Sequence, residues 1–149
     1  MIKKIFITIL FILFTNSAYA KQIKIISDTL EIIRAENISI FSGNVYAIED
    51  NLEVWSEKLI VTSSKDENEI KEINAKGNVK IVREEISING DKALYDPIQN
   101  KLFVFGKVEV LQNQSIILCD KIILDLENSS SIMSSDTNKR VEALIINQR

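Results

Sequence analysis

Three acid–lysine pairs, Glu57-Lys58, Asp91-Lys92 and Asp120-Lys121, are the residues whose types and spacing come nearest to a chemical array. A carboxylate beside an ammonium could do acid–base work if both reached one substrate. On an extended strand, however, neighbouring side chains point to opposite faces, so no pair can act on one bound molecule. The pairs are instead expected at turns or strand starts, as a ladder of charge on an outer face. The rest of the composition offers catalysis little more. The 149 residues contain no histidine, which removes the commonest general base, the usual metal ligand and every Ser-His-Asp triad. The lone cysteine, Cys119, excludes a thiolate zinc site and an internal disulfide. It reads as a small buried apolar residue. No enzyme activity, metal or cofactor is expected.

The elements that position these residues begin after a leader. Lys3 and Lys4 precede an apolar run from Ile5 to Phe14, and Ala18-Tyr19-Ala20 supplies small residues for cleavage. Residues 1–20 therefore read as a secretory signal peptide, and 21–149 as a single domain. The apolar run is too short for the roughly twenty residues of a membrane span. Without those two lysines, 16 basic and 21 acidic residues remain, a formal charge of −5. That balance argues against nucleic acid, which needs a clustered basic surface.

An internal repeat organises the domain. Gly43-Asn44-Val45, Gly77-Asn78-Val79 and Gly106-Lys107-Val108 align, and each glycine is followed fourteen residues later by one of the acid–lysine pairs. Asp28-Thr29 is the matching pair of a leading partial unit. Acid to acid runs 29, 34 and 29 residues, and acid to next glycine 15, 20 and 15. The extra five residues fall in the polar stretch Ser63–Glu69, where a surface loop tolerates insertion. Val141-Glu142-Ala143-Leu144-Ile145 resembles Ile70–Ala75 and opens one more unit. The repeat therefore starts and stops partway.

Within each unit, apolar residues alternate: Phe41, Val45, Ala47, Leu52 and Val54 in the first; Ala75, Val79, Ile81, Ile86 and Ile88 in the second; Val104, Val108, Val110 and Ile117 in the third. Period-two alternation puts them on one face of successive strands. Strands of five to seven residues are expected, with Asn128–Asn138 as a loop. Trp55 is one residue out of phase with the inner stripe and is expected on the surface. Stacked units would give an all-β fold, a short β-solenoid or an open jelly-roll-like trough with a continuous apolar interior. Pattern alone does not separate a packed core from a groove.

The segments Ile25-Ile26-Ser27-Asp28-Thr29-Leu30-Glu31, Phe41-Ser42-Gly43-Asn44-Val45, Ser56-Glu57-Lys58-Leu59, Gly77-Asn78-Val79, Gly90-Asp91-Lys92-Ala93-Leu94-Tyr95 and Gly106-Lys107-Val108 together resemble the OstA-like, or LptA, family of periplasmic lipopolysaccharide transport proteins of Gram-negative bacteria. Lys139-Arg140-Val141-Glu142-Ala143-Leu144 resembles the family's final strand. The likeness covers Gln22 to about Ile146. It implies an open, twisted β-jelly roll with lipopolysaccharide acyl chains in its apolar interior. It also implies a periplasmic bridge from an LptC-type inner-membrane component to an LptD-type outer-membrane component, joined head to tail through terminal strands.

On that resemblance Ile23, Ile25, Phe41, Val45, Val79, Ile81, Val108 and Val110 are the expected groove residues. Ile25, Leu30, Val141 and Leu144 are expected on the edges, Ile23–Ile33 and Arg140–Ile146, that pair between molecules by β-augmentation. Thr29 replaces the lysine of the other units, and the lysine-rich tail of some members is missing; both bear on oligomer length. Two alternatives stand beside this reading. One is the LptC type of the same pathway, which keeps its N-terminal helix; the other is a ligand-free structural β-solenoid.

Overall fold

The computed structural model describes residues 22–66 and 69–147. The expected leader, residues 1–20, lies outside them. Ten strands follow in order: β1 (Ile23–Ile26), β2 (Thr29–Ile33), β3 (Ile38–Glu49), β4 (Leu52–Ser63), β5 (Ile70–Arg83), β6 (Ile86–Asp96), β7 (Lys101–Gln112), β8 (Ser115–Asp125), β9 (Ser130–Ser134) and β10 (Glu142–Leu144). A 3-10 turn at Arg34–Glu36 interrupts the sequence of strands after β2. All pairings are antiparallel, in one sheet ordered β1-β3-β4-β5-β6-β7-β8-β10. β2 lies beside β1 along β3, and β9 beside β10 along β8. Among the described residues the two outer edges do not pair with each other, so the sheet stays open.

The strands from β3 to β8 run 11 to 14 residues rather than five to seven. Each contains two apolar runs that the sequence separates, because the polar break between them bends the strand instead of ending it. Asn128–Asn138, expected as loop, contains β9, whose Met133 packs against the core and pairs with Ile122. Its serines hid the period-two signal.

The bend is built by the repeat. Gly77 takes φ +82°, and the following Asn78 is also left-handed at φ 45°. A glycine reaches that region without a steric penalty. Gly43 and Gly106 do the same, and pairing slips at each, between Ser42 and Val45, Lys76 and Val79, and Phe105 and Val108. The acid of the preceding unit sits over each glycine: Asp28 over Gly43, Glu57 over Gly77, Asp91 over Gly106. Asn44 Nδ2 donates to Asp28 Oδ2 at 3.0 Å, and Asn78 Nδ2 to Glu57 Oε1 at 2.6 Å. In the last unit Asp120 Oδ2 accepts from the Asp136 backbone N–H at 2.9 Å, with Lys139 Nζ 3.7 Å from its other oxygen. The acid–lysine pairs are thus neither turns nor strand starts. They lie mid-strand, where a carboxylate closes each glycine corner.

The corners line up across the sheet and crease it into two layers. Residues 38–42, 58–63, 70–76, 92–96, 101–105 and 121–125, with β2 and β9, form the first. Residues 45–49, 52–55, 79–83, 86–89, 108–112 and 115–118, with β1 and β10, form the second. The core between them is almost wholly aliphatic, with Val45, Val79, Ile81, Val104, Val108 and Ile122 fully buried. Buried Ser56 satisfies its hydroxyl on the Lys58 carbonyl at 3.1 Å.

Candidate apolar binding interior

A cavity of about 50 Å³ opens between Ala47, Leu52, Val54 and Ile81 of the second layer and Leu59, Ile73, Ala75, Ala93 and Leu102 of the first. The three alanines create the space, since larger side chains there would meet across the gap. Its polar side chains are those of Glu49 and Tyr95, both near strand ends. A second hollow of about 150 Å³ adjoins it, sharing Leu52, Ile81 and Leu102 and adding Ile86, Ile88, Leu124 and Leu126. Arg83, Glu84, Asp125 and Ser129–Ser131 form its rim. The two spaces make one apolar passage that ends at a seam between opposing turns.

The seam sets what the interior can admit. On one side Asn51 Nδ2 donates to Glu84 Oε1 at 3.2 Å, and on the other the Leu126 N–H donates to the Asn100 carbonyl at 3.0 Å. Each bond ties turns on one lip together. Among the described residues no strand pairing crosses from lip to lip. The layers can therefore separate there without breaking the sheet. They must do so for a large guest, because an apolar cavity of about 150 Å³ holds no more than a benzene-sized molecule. At the mouth, burial and the charges of Glu49 and Asp96 push the Tyr95 hydroxyl above its usual pKa. It remains a neutral phenol, 3.5 Å from Asn100 Oδ1. Among the described residues no cluster of three or more histidines, cysteines or acids could hold a metal ion.

The expected groove residues fall in three places. Ile81 and Ile23 line the cavity. Val45, Val79, Val108 and Val110 are packed core, at most 3 % exposed. Ile25 and Phe41 are partly buried against that core. The passage also uses Leu102, Ile73 and Leu126, absent from the sequence-derived stripe. Their signal is present as apolar residues flanking polar stretches: Ile73 after Ser63–Glu69, Leu102 after the Asp96-Pro97 turn and Leu126 before Asn128. Of the expected edge residues, Leu30 and Leu144 lie on outer strands and are 52 % and 63 % exposed, Val141 precedes β10, and Ile25 sits on β1. Trp55 faces outward, its ring 5.2 Å from that of Tyr46 and under the Lys80 ammonium at 5.5 Å.

Cys119 supplies a probe of the closed state. It is 6 % exposed, and burial raises its thiol pKa. Thiolate is the reacting form, so labelling of the native protein by a disulfide reagent at pH 8 is expected to run at least about tenfold slower than in urea. Equal rates would show an interior already open.

A family model, described as LptA/(LptD N-terminal domain) LPS transport protein, matches residues 24–130. No curated protein matches the sequence. Among solved structures, 22 chains match. One is the crystal structure of LptH from Pseudomonas aeruginosa, described as the LptA-homologous periplasmic component of the lipopolysaccharide transport device. It is 14 % identical, with a TM-score of 0.76, covering 85 % of this chain and 96 % of that one. At that identity the likeness speaks for the fold.

Proposed function

The chain belongs to the LptA/LptD N-terminal domain family of lipopolysaccharide transport proteins, and from that premise we propose that it is a periplasmic carrier that takes lipopolysaccharide acyl chains into its creased sheet. One observation carries the reading. The passage from Ile81 to Leu124 is apolar along its walls, and its mouth is a seam that no strand pairing closes. Burial favours an acyl chain by about 0.8 kcal/mol per CH₂, so several chains can be held without charged ligands. The sugars stay outside, since the hydrogen-bonding groups, Glu49 and Tyr95 of the cavity and Arg83, Glu84, Asp125 and Ser129–Ser131 of the hollow, lie at the mouth and rim rather than along the inner walls. The protein itself hydrolyses nothing in this reading.

The unpaired outer edges give the carrier a way to pass its cargo on. β1 and β2 form one kinked edge, β9 and β10 the other. Ile32 at 60 % and Leu144 at 63 % exposure leave both edges apolar and open. Such edges template pairing with another strand. Here they join copies head to tail, and join the ends to LptC-type and LptD-type partners.

A photo-reactive residue at Ile81 is expected to capture lipopolysaccharide in cells, and one at Lys80, on the opposite face of β5, to capture several-fold less. Equal labelling at the two sites would defeat the groove reading.

A further inference from the structure

The outer face of the first layer carries three parallel rows. The middle row, at matched register, includes Ile60, Leu94, Phe103, Ile123 and Ile132, interrupted by Asn74. None of these belongs to the buried core or packs against it. Toward the crease runs a row with Lys58, Lys76, Lys92 and Lys121 directly paired through their strands, interrupted by Phe105. Toward the turns runs a row with Glu72, Asp96 and Asp125, interrupted by Lys101. Like charges side by side on a sheet repel. Among the described residues Lys58, Lys76 and Lys92 have no ion-pair partner.

We propose that this face pairs with the same face of a second copy of the chain, through a two-fold axis lying along the apolar row. That operation turns each strand antiparallel onto its own copy and exchanges the outer rows. Lys76 then meets Glu72 of the other copy, Lys92 meets Asp96, and Lys121 meets Asp125, each twice over. Phe105 meets Lys101, and Leu94 and Phe103 meet their own counterparts on the axis. Asp96 and Glu72 each keep one carboxylate oxygen free to accept. Asp96 uses only Oδ1 for the Ile98 and Gln99 N–H groups, and Glu72 uses only Oε1, for Asn74. Asp125 is held ionised by the backbone N–H and side-chain amide of Asn128 and by the Glu127 N–H; both its oxygens already accept, so Lys121 of the other copy would add charge attraction rather than fill an empty acceptor.

An anionic lipid surface suits the face less well, because the acid row lies on the same face and the chain is net acidic. Six strands and three rows span roughly 600 Å² per copy at ordinary sheet spacings. Two copies bury roughly 1,200 Å², the lower end of specific interfaces. The dimer is therefore weak and salt-sensitive. It is lateral, and so independent of end-to-end pairing through β2 and β10.

Two measurements test it. In a Cys119→Ser background, a bis-maleimide of about 10 Å span is expected to link Leu94→Cys into a dimer, because faces of packed sheets lie about 10 Å apart, beyond the reach of a direct disulfide. Asn89→Cys, on the outer face of the second layer, is expected to stay monomeric. In sedimentation at low salt, Lys76→Glu and Glu72→Lys are each expected to weaken self-association about tenfold or more, and an equimolar mixture to restore it. No crosslink at Leu94→Cys, equal crosslinking at Asn89→Cys, or no recovery in the mixture would overturn the proposal. So would retention on anionic phosphatidylglycerol vesicles without any dimer, which would assign the face to a membrane. Failure of end-to-end association leaves the Leu94→Cys crosslink in place, so the two readings fail separately.

Discussion

Gly77→Ala is expected to destabilise the protein by about 3 kcal/mol, and by clearly less when Glu57 has already been shortened to alanine. The first part of the cost is backbone. An L-residue at φ +82° sits in the left-handed region at about 1–2 kcal/mol. The second part is contact. A Cβ there would overlap Glu57 Oε2 and stand 2.8 Å from its Cδ. The carboxylate has to leave, and its bond from Asn78 goes with it. A hydrogen bond to a charged group contributes about 1.5–3 kcal/mol. Glu57→Ala alone loses that bond but removes the obstacle, so the double variant should fall short of the sum by about 1–2 kcal/mol, the size of coupling between touching groups. Urea midpoints of the four proteins measure it. Additive losses would show that glycine and acid are neighbours without a common task. The equivalent pairs, Asp28 with Gly43 and Asp91 with Gly106, should behave alike because their geometry repeats.

That corner shows how far the sequence could be read. The acid-to-glycine interval of 15, 20 and 15 residues was visible in the chain, and it is a contact: each acid covers the glycine at the end of that interval. The all-β class and the inner stripe were legible for the same reason, since alternation survives in every unit. The crease was not. A glycine flanked by apolar alternation reads equally as a strand end or as a bend within one strand, and only pairing across the sheet decides between them. β9 was hidden because its only apolar residues, Ile132 and Met133, are adjacent between serines at 130, 131 and 134 and give no period-two contrast. The groove candidates nearest the glycines, Val45, Val79 and Val108, lie where the layers meet at the crease and are packed. The open space lies toward the turns, at Leu52, Ile86 and Leu102. Distance from the crease is a property of the folded sheet, and no local pattern encodes it.

Leu52→Asp is therefore expected to separate binding from folding, with lipopolysaccharide binding weakened about tenfold or more while the fold persists, because a carboxylate covered by an acyl chain loses its water. Leu52 begins β4 on one lip of the seam and lines both the cavity and the adjoining hollow. It is only partly buried. In the empty protein an aspartate there can turn toward solvent, so the stability lost is mainly its apolar burial, about 1 kcal/mol. In the loaded protein the passage past position 52 is filled, and the charge has nowhere to go. A charge at Ile81 would not discriminate in this way. Ile81 is 2 % exposed, and an unpaired ion there would unfold the empty sheet as well. Leu52→Met keeps volume and polarity class and should bind normally. The decisive comparison is lipid capture by a photo-reactive residue at Ile81 in each background, set beside the urea midpoint. A variant whose midpoint falls by no more than that loss of about 1 kcal/mol allows, yet which loses capture, places the entry route at the seam. If Leu52→Asp binds as well as the parent, lipid does not enter between these lips, and the passage beneath them is simply the loosest part of a core.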